Sequence, residues 1–219
     1  MFRPLCGIYD RSMSNPWLTV PLTDYEGHMR SAHVQQLNAL SELFATALAY
    51  SRPVSVAVLG IAGGNGLERI DLSRTKRVVG LDLNNSYLDV VRYRYGRMSG
   101  LELVCADLAQ QVIKIEPVQL VHAALIFEHA GVSRCLENAL SLVAPGGFCS
   151  VVLQRPSDQE PDVSPSNFST IQNLKSHFSL VDPCWFQETL ERRHFQLEEQ
   201  VQRSLPAGKG LWMGIFSRQ

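Results

Sequence analysis

The five cysteines of this 219-residue chain are scattered and form no Cys-x-x-Cys pair. A zinc site or a thioredoxin-like centre needs closely spaced thiols, so we expect neither, and no other metal site is indicated. An odd number of isolated cysteines is typical of reduced thiols, which predicts a cytoplasmic protein. The sequence also has no signal peptide and no apolar run near the ~18 residues that a membrane span requires, so no membrane association is expected.

The chain lacks an excess of positive charge, since 20 Lys and Arg residues stand against 21 Asp and Glu residues and give a net charge of −1. Nucleic acids and anionic membranes are bound through clustered Lys and Arg, so neither partner is expected. The one basic run is "RYRYGR", residues 92 to 97. It would end a helix, where cations interact favourably with the helix dipole. The oligomeric state is left open.

The N-terminal 52 residues are predicted to form an arm and a helical lid. Prolines interrupt residues 1 to 22, which indicates an irregular segment. From Asp24 to Tyr50 apolar residues recur at steps of three and four, which predicts one amphipathic helix with Asp24 as its cap. Its expected buried stripe is Met29, His33, Leu37, Leu40, Phe44 and Ala47.

Residues 53 to 219 are predicted to form one α/β domain. Short segments rich in Val and Leu alternate with helical segments, which is typical of a parallel sheet covered by helices on both faces. The expected strands are 54–60, 77–83, 101–107 and 118–125, and the expected helices are 65–72, 84–98 and 131–143.

The C-terminal third departs from this alternation. "APGGFCSVVLQ" is read as a turn followed by a fifth strand, and a polar loop then leads to a short helix at 167–178. Asp182 and Pro183 are a typical helix start. Two further strand-like segments flank "SLPAGKG", whose proline and glycines can reverse the chain, so an antiparallel hairpin is expected to complete the sheet.

The stretch "VAVLGIAGGNGLERI", residues 56 to 70, carries a strand into four glycines. Glycine permits positive φ, and such a turn lets a nucleotide approach the backbone. The dinucleotide pattern Gly-x-Gly-x-x-Gly fails because Arg69 stands where the third glycine belongs. The pattern Gly60-x-x-x-Gly64-x-Gly66 resembles short-chain dehydrogenases, but no tyrosine has the lysine four residues on that their chemistry uses. An NAD(P)-dependent oxidoreductase is therefore disfavoured.

The alternative pattern Gly60-x-Ala62-x-Gly64 resembles the turn of class I S-adenosylmethionine (SAM)-dependent methyltransferases. Asp82 follows about 20 residues later at the end of the second strand, where a carboxylate can accept both ribose hydroxyls. "CADL" places Asp107 at the end of the third strand, and "LIFEHAG" and "LVAPGGF" are similar to the family's later motifs. "YEGHM" and "LGIAGGNGLE" resemble a bacterial branch of this superfamily.

This resemblance implies a Rossmann-like three-layer sandwich with a seven-stranded, mostly parallel sheet. It implies SAM as cofactor and S-adenosylhomocysteine (SAH) as product. Asn65 is equally compatible with a helix cap and with a cofactor contact. The implied cofactor contacts are Gly60, Ala62, Gly64, Asn65, Asp82, Leu83, Asp107, Leu108 and Leu125.

Two positions depart from the family pattern. Val58 stands where an acidic residue usually helps to hold the methionine end of SAM, and Ala62 replaces the middle glycine. A different group, such as one from the N-terminal arm, would have to replace the carboxylate. A non-catalytic SAM- or SAH-binding module is therefore the main alternative to an enzyme.

The expected reaction is in-line transfer of a methyl group to a small-molecule acceptor, in which positioning of the reactants supplies much of the acceleration. His129 and Glu128, just after the fourth strand, are candidates for a general base. Tyr25 and His28 lie three residues apart on one predicted helix face and could close over the cofactor and meet the acceptor. For all four residues a purely structural role is the competing interpretation.

Overall fold

The computed structural model describes residues 15–219. Residues 1 to 14, which belong to the segment predicted to be irregular, lie outside the described residues. Seven strands form one sheet. They are β1 (Ser55–Leu59), β2 (Arg77–Asp82), β3 (Leu101–Cys105), β4 (Val118–Ala124), β5 (Val143–Arg155), β6 (Phe195–Ser204) and β7 (Gly210–Arg218).

The sheet order is β3-β2-β1-β4-β5-β7-β6. Strands β1 to β5 pair in parallel, and β7 runs antiparallel to both β5 and β6. The predicted fold class is confirmed, including the antiparallel C-terminal hairpin. The order reverses at β1, where β2 lies on one side and β4 on the other, so a crevice opens at the carboxyl ends of these strands.

Helices cover both faces of the sheet, and each face has its own apolar core. One core packs around Phe127, Phe186 and Phe216, and the other packs around Phe44 and Leu88. No helix within residues 15–219 is long and apolar enough to cross a membrane. The helices are α1 (Leu22–Arg30), α2 (Gln36–Ser51), α3 (Asn85–Tyr95), α4 (Phe127–Ala130), α5 (Ser133–Ser141), α6 (Ser169–Gln172) and α7 (Pro183–Glu191).

The single helix predicted for 24–50 is wrong, because the chain forms α1 and α2 with a turn between them. The turn closes through a hydrogen bond from Val34 N to Ser31 O of 3.0 Å, and Gln35 takes a left-handed φ of 50°. Val34 is buried in the turn, whereas His33, predicted for the buried stripe, is exposed. Asp24 is not the cap, since Pro21 holds that position and the Asp24 carboxylate accepts a hydrogen bond from Thr170 Oγ1.

Two other predicted helices are shorter than expected. Residues 131–143 give α5, separated from α4 by Gly131 at a φ of 75°. The segment 167–178 gives α6 and a 3₁₀ turn at Asn173–His177. The predicted helix start at Asp182 is confirmed, because its carboxylate accepts the backbone N–H of Trp185 at 2.7 Å.

Residues 15–34 and 156–178 together form a layer over the carboxyl ends of the strands, which we call the roof. The two parts share a small apolar core of Val20, Ile171 and Leu174. Hydrogen bonds from Asn84 Nδ2 to Trp17 O and from Tyr87 Oη to Val20 O, both 2.8 Å, tie the first part to the start of α3. The roof is therefore attached to the sheet from more than one side.

The helix predicted for 65–72 is also wrong, because the segment after β1 is a compact turn with one 3₁₀ turn at Leu67–Arg69. Gly66 has a φ of 90° and Gly64 a φ of 83°, values that are incompatible with a continuous helix. The turn packs closely on α3: a Cβ atom added at Gly64 would lie 2.7 Å from Cε2 of Tyr95.

We expect Gly64→Ala to lower the free energy of unfolding by about 2–3 kcal/mol, since the left-handed penalty of about 1 kcal/mol is joined by overpacking against Tyr95. Gly146→Ala is the matched control, because Gly146 has a φ of 69° with no atom within 4 Å of an added Cβ. It should lose only about 1 kcal/mol. Urea denaturation measures both, and equal losses would show that the contact with Tyr95 is unimportant.

Candidate functional site

A cavity lies between the roof and the carboxyl ends of the central strands. Its volume is about 1130 Å³, counted to include the side that opens to solvent. The glycine turn, the end of β2, the loops after β3 and β4, and the end of β5 form its floor and walls. This is the topological switch point of the sheet, where open α/β folds bind their ligands.

Asp82 holds the floor of this cavity together. Its Oδ2 accepts the backbone N–H of Ala62 at 2.9 Å, and its Oδ1 accepts the backbone N–H of Asn84 at 2.9 Å. The residue is 8% exposed, and burial raises the pKa of the carboxyl although the backbone donors oppose that shift. Each carboxylate oxygen keeps a further acceptor site, so Asp82 can also accept hydroxyl groups of a ligand in the cavity.

Ala62 occupies a left-handed backbone conformation with a φ of 46°. An L-residue in this region costs about 1–2 kcal/mol, which explains why related turns use glycine. The hydrogen bond from its N–H to Asp82 stabilises the strained turn. Leu125, directly after β4, is also left-handed with a φ of 55°. Both residues line the cavity, and such strain is commonly found at ligand sites.

Most of the predicted cofactor contacts come together in this cavity. Gly60, Ala62, Asp82, Leu83, Asp107, Leu108 and Leu125 line it. Asp107 Oδ1 accepts the backbone N–H of Ala109 at 2.8 Å, while no described residue donates to its Oδ2. This second oxygen can therefore accept a hydrogen bond from a ligand.

Gly64 and Asn65 are outside the lining of this cavity. Asn65 lies behind the turn, where its Nδ2 donates to the backbone oxygen of Leu37 in α2 at 2.8 Å. Gly64 faces Tyr95 of α3. These two residues hold the turn from its far side.

Val58 is buried, and Glu26 is an acidic side chain of the roof that lies against the turn after β1. The Glu26 carboxylate lies directly over Gly63 and forms an ion pair with Arg94, which also donates to Gly63 O at 3.0 Å. Because this ion pair neutralises the carboxylate and Glu26 does not line the cavity, Glu26 is not a replacement for the missing acidic residue.

His129 lies in α4 and lines the cavity. It makes edge-to-face contacts with Trp17 at 4.8 Å and Phe178 at 5.0 Å between ring centroids. Its Nδ1 is buried and has no hydrogen-bond partner among residues 15–219. Burial, together with nearby His177, lowers the pKa of His129 to about 4, so the ring is neutral at pH 7.

Tyr25 and His28 of α1 also line the cavity from above. Burial and the nearby Asp82 carboxylate raise the pKa of Tyr25, so its hydroxyl stays protonated and is a hydrogen-bond donor. Burial and the neighbouring Lys209 ammonium lower the pKa of His28. Both residues therefore lie at the cavity, and their roles toward the cofactor and the acceptor stay predictions.

Glu128 points away from the cavity. Its Oε1 accepts the backbone N–H of Gln154 at 2.8 Å, and its Oε2 is buried with no hydrogen-bond partner in the described part of the chain. Burial raises the pKa of this carboxyl to about 7. The carboxylate thus contacts the end of β5, and its geometry does not suit proton transfer at the cavity.

Sequence reasoning missed several polar residues of the cavity. Gln36 Nε2 donates to Gln154 Oε1 at 3.0 Å, and Lys209 Nζ donates to Asp162 O and Ser164 Oγ, both at 2.8 Å. Gln154 ends a predicted strand at the carboxyl edge of the sheet, which was a usable signal. Lys209 lies in a hairpin turn, and no spacing motif marks it.

We expect the free energy of unfolding of the wild-type protein, compared with that of the Glu128→Gln variant, to fall as the pH rises. The folded state binds the proton of Glu128 more tightly than the unfolded chain, so stability is lost between pH 4.5 and about 7. The variant keeps an acceptor for Gln154 N without a titrating group. The two proteins should match near pH 4.5, and the variant should be more stable by about 2–3 kcal/mol at pH 8.

Urea denaturation from pH 4.5 to pH 8 measures this difference. The buried residues His122 and His129 have lowered pKa values, so they make the protein more stable as the pH rises. Both histidines are present in the two proteins, so their contributions cancel in the difference. A difference that is constant with pH would show that the Glu128 carboxyl has an ordinary pKa.

Comparison with known proteins agrees with this architecture. Residues 59–151, from the end of β1 into β5, match the family described as methyltransferase domain. A search of curated protein sequences finds no match.

Many solved structures share the fold. The N-methyltransferase NodS from Bradyrhizobium japonicum WM9, in complex with SAH, aligns over 94% of this chain and 93% of its own with a TM-score of 0.60 and 16% identity. Magnesium protoporphyrin IX methyltransferase (ChlM) from Synechocystis PCC 6803, with bound SAH, aligns over 89% and 87% with a TM-score of 0.61 and 11% identity. The [4+2]-cyclase SpnF aligns over 86% and 83% with a TM-score of 0.65 and 12% identity.

At these identities the structural neighbours show a shared fold. The domain match covers the glycine turn, Asp82, Asp107 and the loop after β4, which are the positions that carry the sequence resemblance. Residues 59–151 thus match a methyltransferase domain, and the chain has the fold of methyltransferases that were solved with SAH bound.

Proposed function

We propose that this enzyme methylates a small-molecule acceptor that is enclosed in the cavity beneath the roof. The observation that supports this proposal is the roof itself, because its residues Tyr25, Leu174 and Phe178 lie over the strand ends and line the same cavity as Asp82. The basic run at 92–97 gives no support for nucleic acid, since Arg92 pairs with Asp89 and Arg94 pairs with Glu26. ChlM, by its name, acts on magnesium protoporphyrin IX, which is a small molecule.

The residues of the cavity fit SAM. We assign the ribose hydroxyls to Asp82, the adenine ring to Asp107 with Leu83 and Leu108, and the methionine portion to the backbone of Gly60 and Ala62 with Leu125. Gly64 and Asn65 maintain the turn without contacting the cofactor. With Val58 in place of a carboxylate, the protonated Tyr25 hydroxyl and backbone carbonyls remain to hold the polar end of methionine.

SAM supplies a methyl group on a positively charged sulfur. The residues of this chain hold the acceptor in line with that group and exclude water, which is where most of the acceleration of such a displacement comes from. The acceptor atom forms its new bond to carbon as the carbon–sulfur bond breaks. We assign the proton that the acceptor loses to neutral His129, while Glu128 acts only through its contact with Gln154.

We also propose that residues 1–52 act as an arm and lid on the methyltransferase domain 53–219. Among the described residues, α1 reaches the domain through the ion pair of Glu26 with Arg94 and the hydrogen bond of Asp24 with Thr170.

SpnF, which is named as a [4+2]-cyclase, shares this fold, so the fold alone does not require methyl transfer. The second candidate function is therefore a protein that binds SAM or SAH and does not transfer the methyl group. Tight cofactor binding without product formation across many acceptors would support this alternative. An NAD(P)-dependent oxidoreductase would have to bind its nicotinamide cofactor, and a titration with NAD tests this.

We expect calorimetric titration to show binding of SAM and SAH but not of NAD. Asp82→Asn should weaken SAH binding at least about tenfold, because a charged hydrogen-bond acceptor contributes about 1.5–3 kcal/mol. Asp89→Asn is the control, since Asp89 is an exposed carboxylate on α3 that pairs with Arg92. Unchanged SAH affinity in Asp82→Asn would overturn the ribose assignment, and NAD binding would revive the oxidoreductase.

We expect incubation of the purified protein with methyl-tritiated SAM and a cell extract to give a labelled low-mass product that is chromatographically distinct from SAM and is absent when the protein is left out. Label in nucleic acid or protein would contradict the small-molecule proposal. Once an acceptor is in hand, His129→Gln should lower kcat at least about 100-fold if the ring takes the proton. The control His33→Gln changes an exposed histidine outside the cavity and should have wild-type activity.

A further inference from the structure

Lys209 places a buried ammonium group at the cavity. It lies between β6 and β7, directly before Gly210, and only 6% of the residue is exposed. Its Nζ donates to the backbone oxygen of Asp162 and to Ser164 Oγ, both at 2.8 Å. An ammonium group has three N–H donors, so one remains for a ligand.

This charge has no ion-pair partner within residues 15–219, because no described carboxylate oxygen lies within 4.0 Å of Nζ. Glu160 and Asp162 are near enough to favour the charged form, but burial outweighs them and lowers the pKa of Lys209. Both direct partners are neutral oxygens. A buried cation without a counter-ion is costly, and an anion bound in the cavity would offset that cost.

The strand order places Lys209 and the carboxylates Asp82 and Asp107 on opposite sides of β1 along the same edge of the sheet. Asp82 and Asp107 follow β2 and β3 on one side of β1, whereas β4, β5 and β7 lie on the other side. Gly210 of β7 pairs with Arg155 at the carboxyl end of β5, which brings Lys209 to the same edge of the sheet as the cavity. Lys209 therefore faces the part of the cavity that the cofactor assignment leaves for the acceptor.

A connected polar cluster surrounds the ammonium group. Gln154 Nε2 donates to Asp162 O, the same oxygen that Lys209 contacts, and Gln36 donates to Gln154. His28 is close enough that its pKa is lowered by Lys209. The cluster thus contains one cation, neutral groups that hydrogen-bond to it and an imidazole whose pKa is lowered by burial and by Lys209, while the nearby Glu160 and Asp162 carboxylates form no direct contact with the ammonium group.

Apolar side chains of the roof form the neighbouring wall of the cavity. Val163, Ile171, Leu174 and Phe178 line it, and Ile171 and Leu174 are buried. An acceptor that fits both surfaces has an apolar body and one acidic group.

We propose that the methyl acceptor is an apolar small molecule with a single carboxylate, and that the Lys209 ammonium group binds this carboxylate. The proposal rests on the proposed function, since it places the acceptor in the same cavity. A single charge is favoured over a phosphate dianion because the cluster provides one cation. The ion pair with Lys209 reduces the nucleophilicity of the carboxylate, so another atom of the acceptor receives the methyl group.

The test uses the SAH-saturated protein and straight-chain acids from butanoate to dodecanoate, each paired with its uncharged amide, in calorimetric titrations. At least one acid should bind about tenfold or more tightly than its amide, as expected for a charge-assisted hydrogen bond. Lys209→Met and Lys209→Gln should both abolish this preference. Lys175→Met, which changes an exposed lysine in the roof, is the control and should retain it.

Each other outcome counts against the proposal. It is overturned if no acid binds more tightly than its amide, if the preference survives in both Lys209 variants, or if octyl phosphate binds more tightly than octanoate. It is also overturned if the Lys209 variants lose SAH affinity, since Lys209 would then bind the methionine carboxylate. Failure of the wild-type protein to bind SAH would instead contradict the cofactor site, so the two failures are distinguishable.

Discussion

The pairing of the Asp82 carboxylate with the turn after β1 is the interaction on which the site depends. Asp82 ends β2, while Ala62 belongs to the turn after the neighbouring strand β1. One carboxylate oxygen fixes a strained left-handed residue, and the other fixes the start of α3 through Asn84. The floor of the cavity is therefore held by hydrogen bonds from side chain to backbone, because the turn here is not followed by a regular helix.

The roof lies over the crevice at the strand ends and forms the upper wall of the cavity. It consists of two segments distant in sequence, and they meet through Val20, Ile171 and Leu174. Trp17 illustrates the result, since its ring contacts both Tyr25 and His129 while its backbone oxygen accepts a hydrogen bond from Asn84. Segments that are far apart in the sequence therefore shape this side of the cavity.

Local pattern was sufficient for the sheet but not for the segments around it. Strands β1 to β4 were located because runs of Val and Leu bounded by turns are a local signal. The helix predicted across His33 was wrong because its periodicity continued through a turn that buries Val34 instead. The helix predicted after the glycines was wrong because left-handed residues at 64 and 66 pack that segment against α2 and α3.

The sequence by itself determined the fold class, the resemblance to methyltransferases over residues 59–151 and the positions of Asp82 and Asp107, since these depend on residues at fixed distances along the chain. Only the tertiary structure decided which side chains face the cavity. It turned Glu128 toward the backbone of Gln154, Asn65 toward α2, and Lys209 toward the cavity. Such orientations depend on contacts between segments far apart in sequence, which no local pattern encodes.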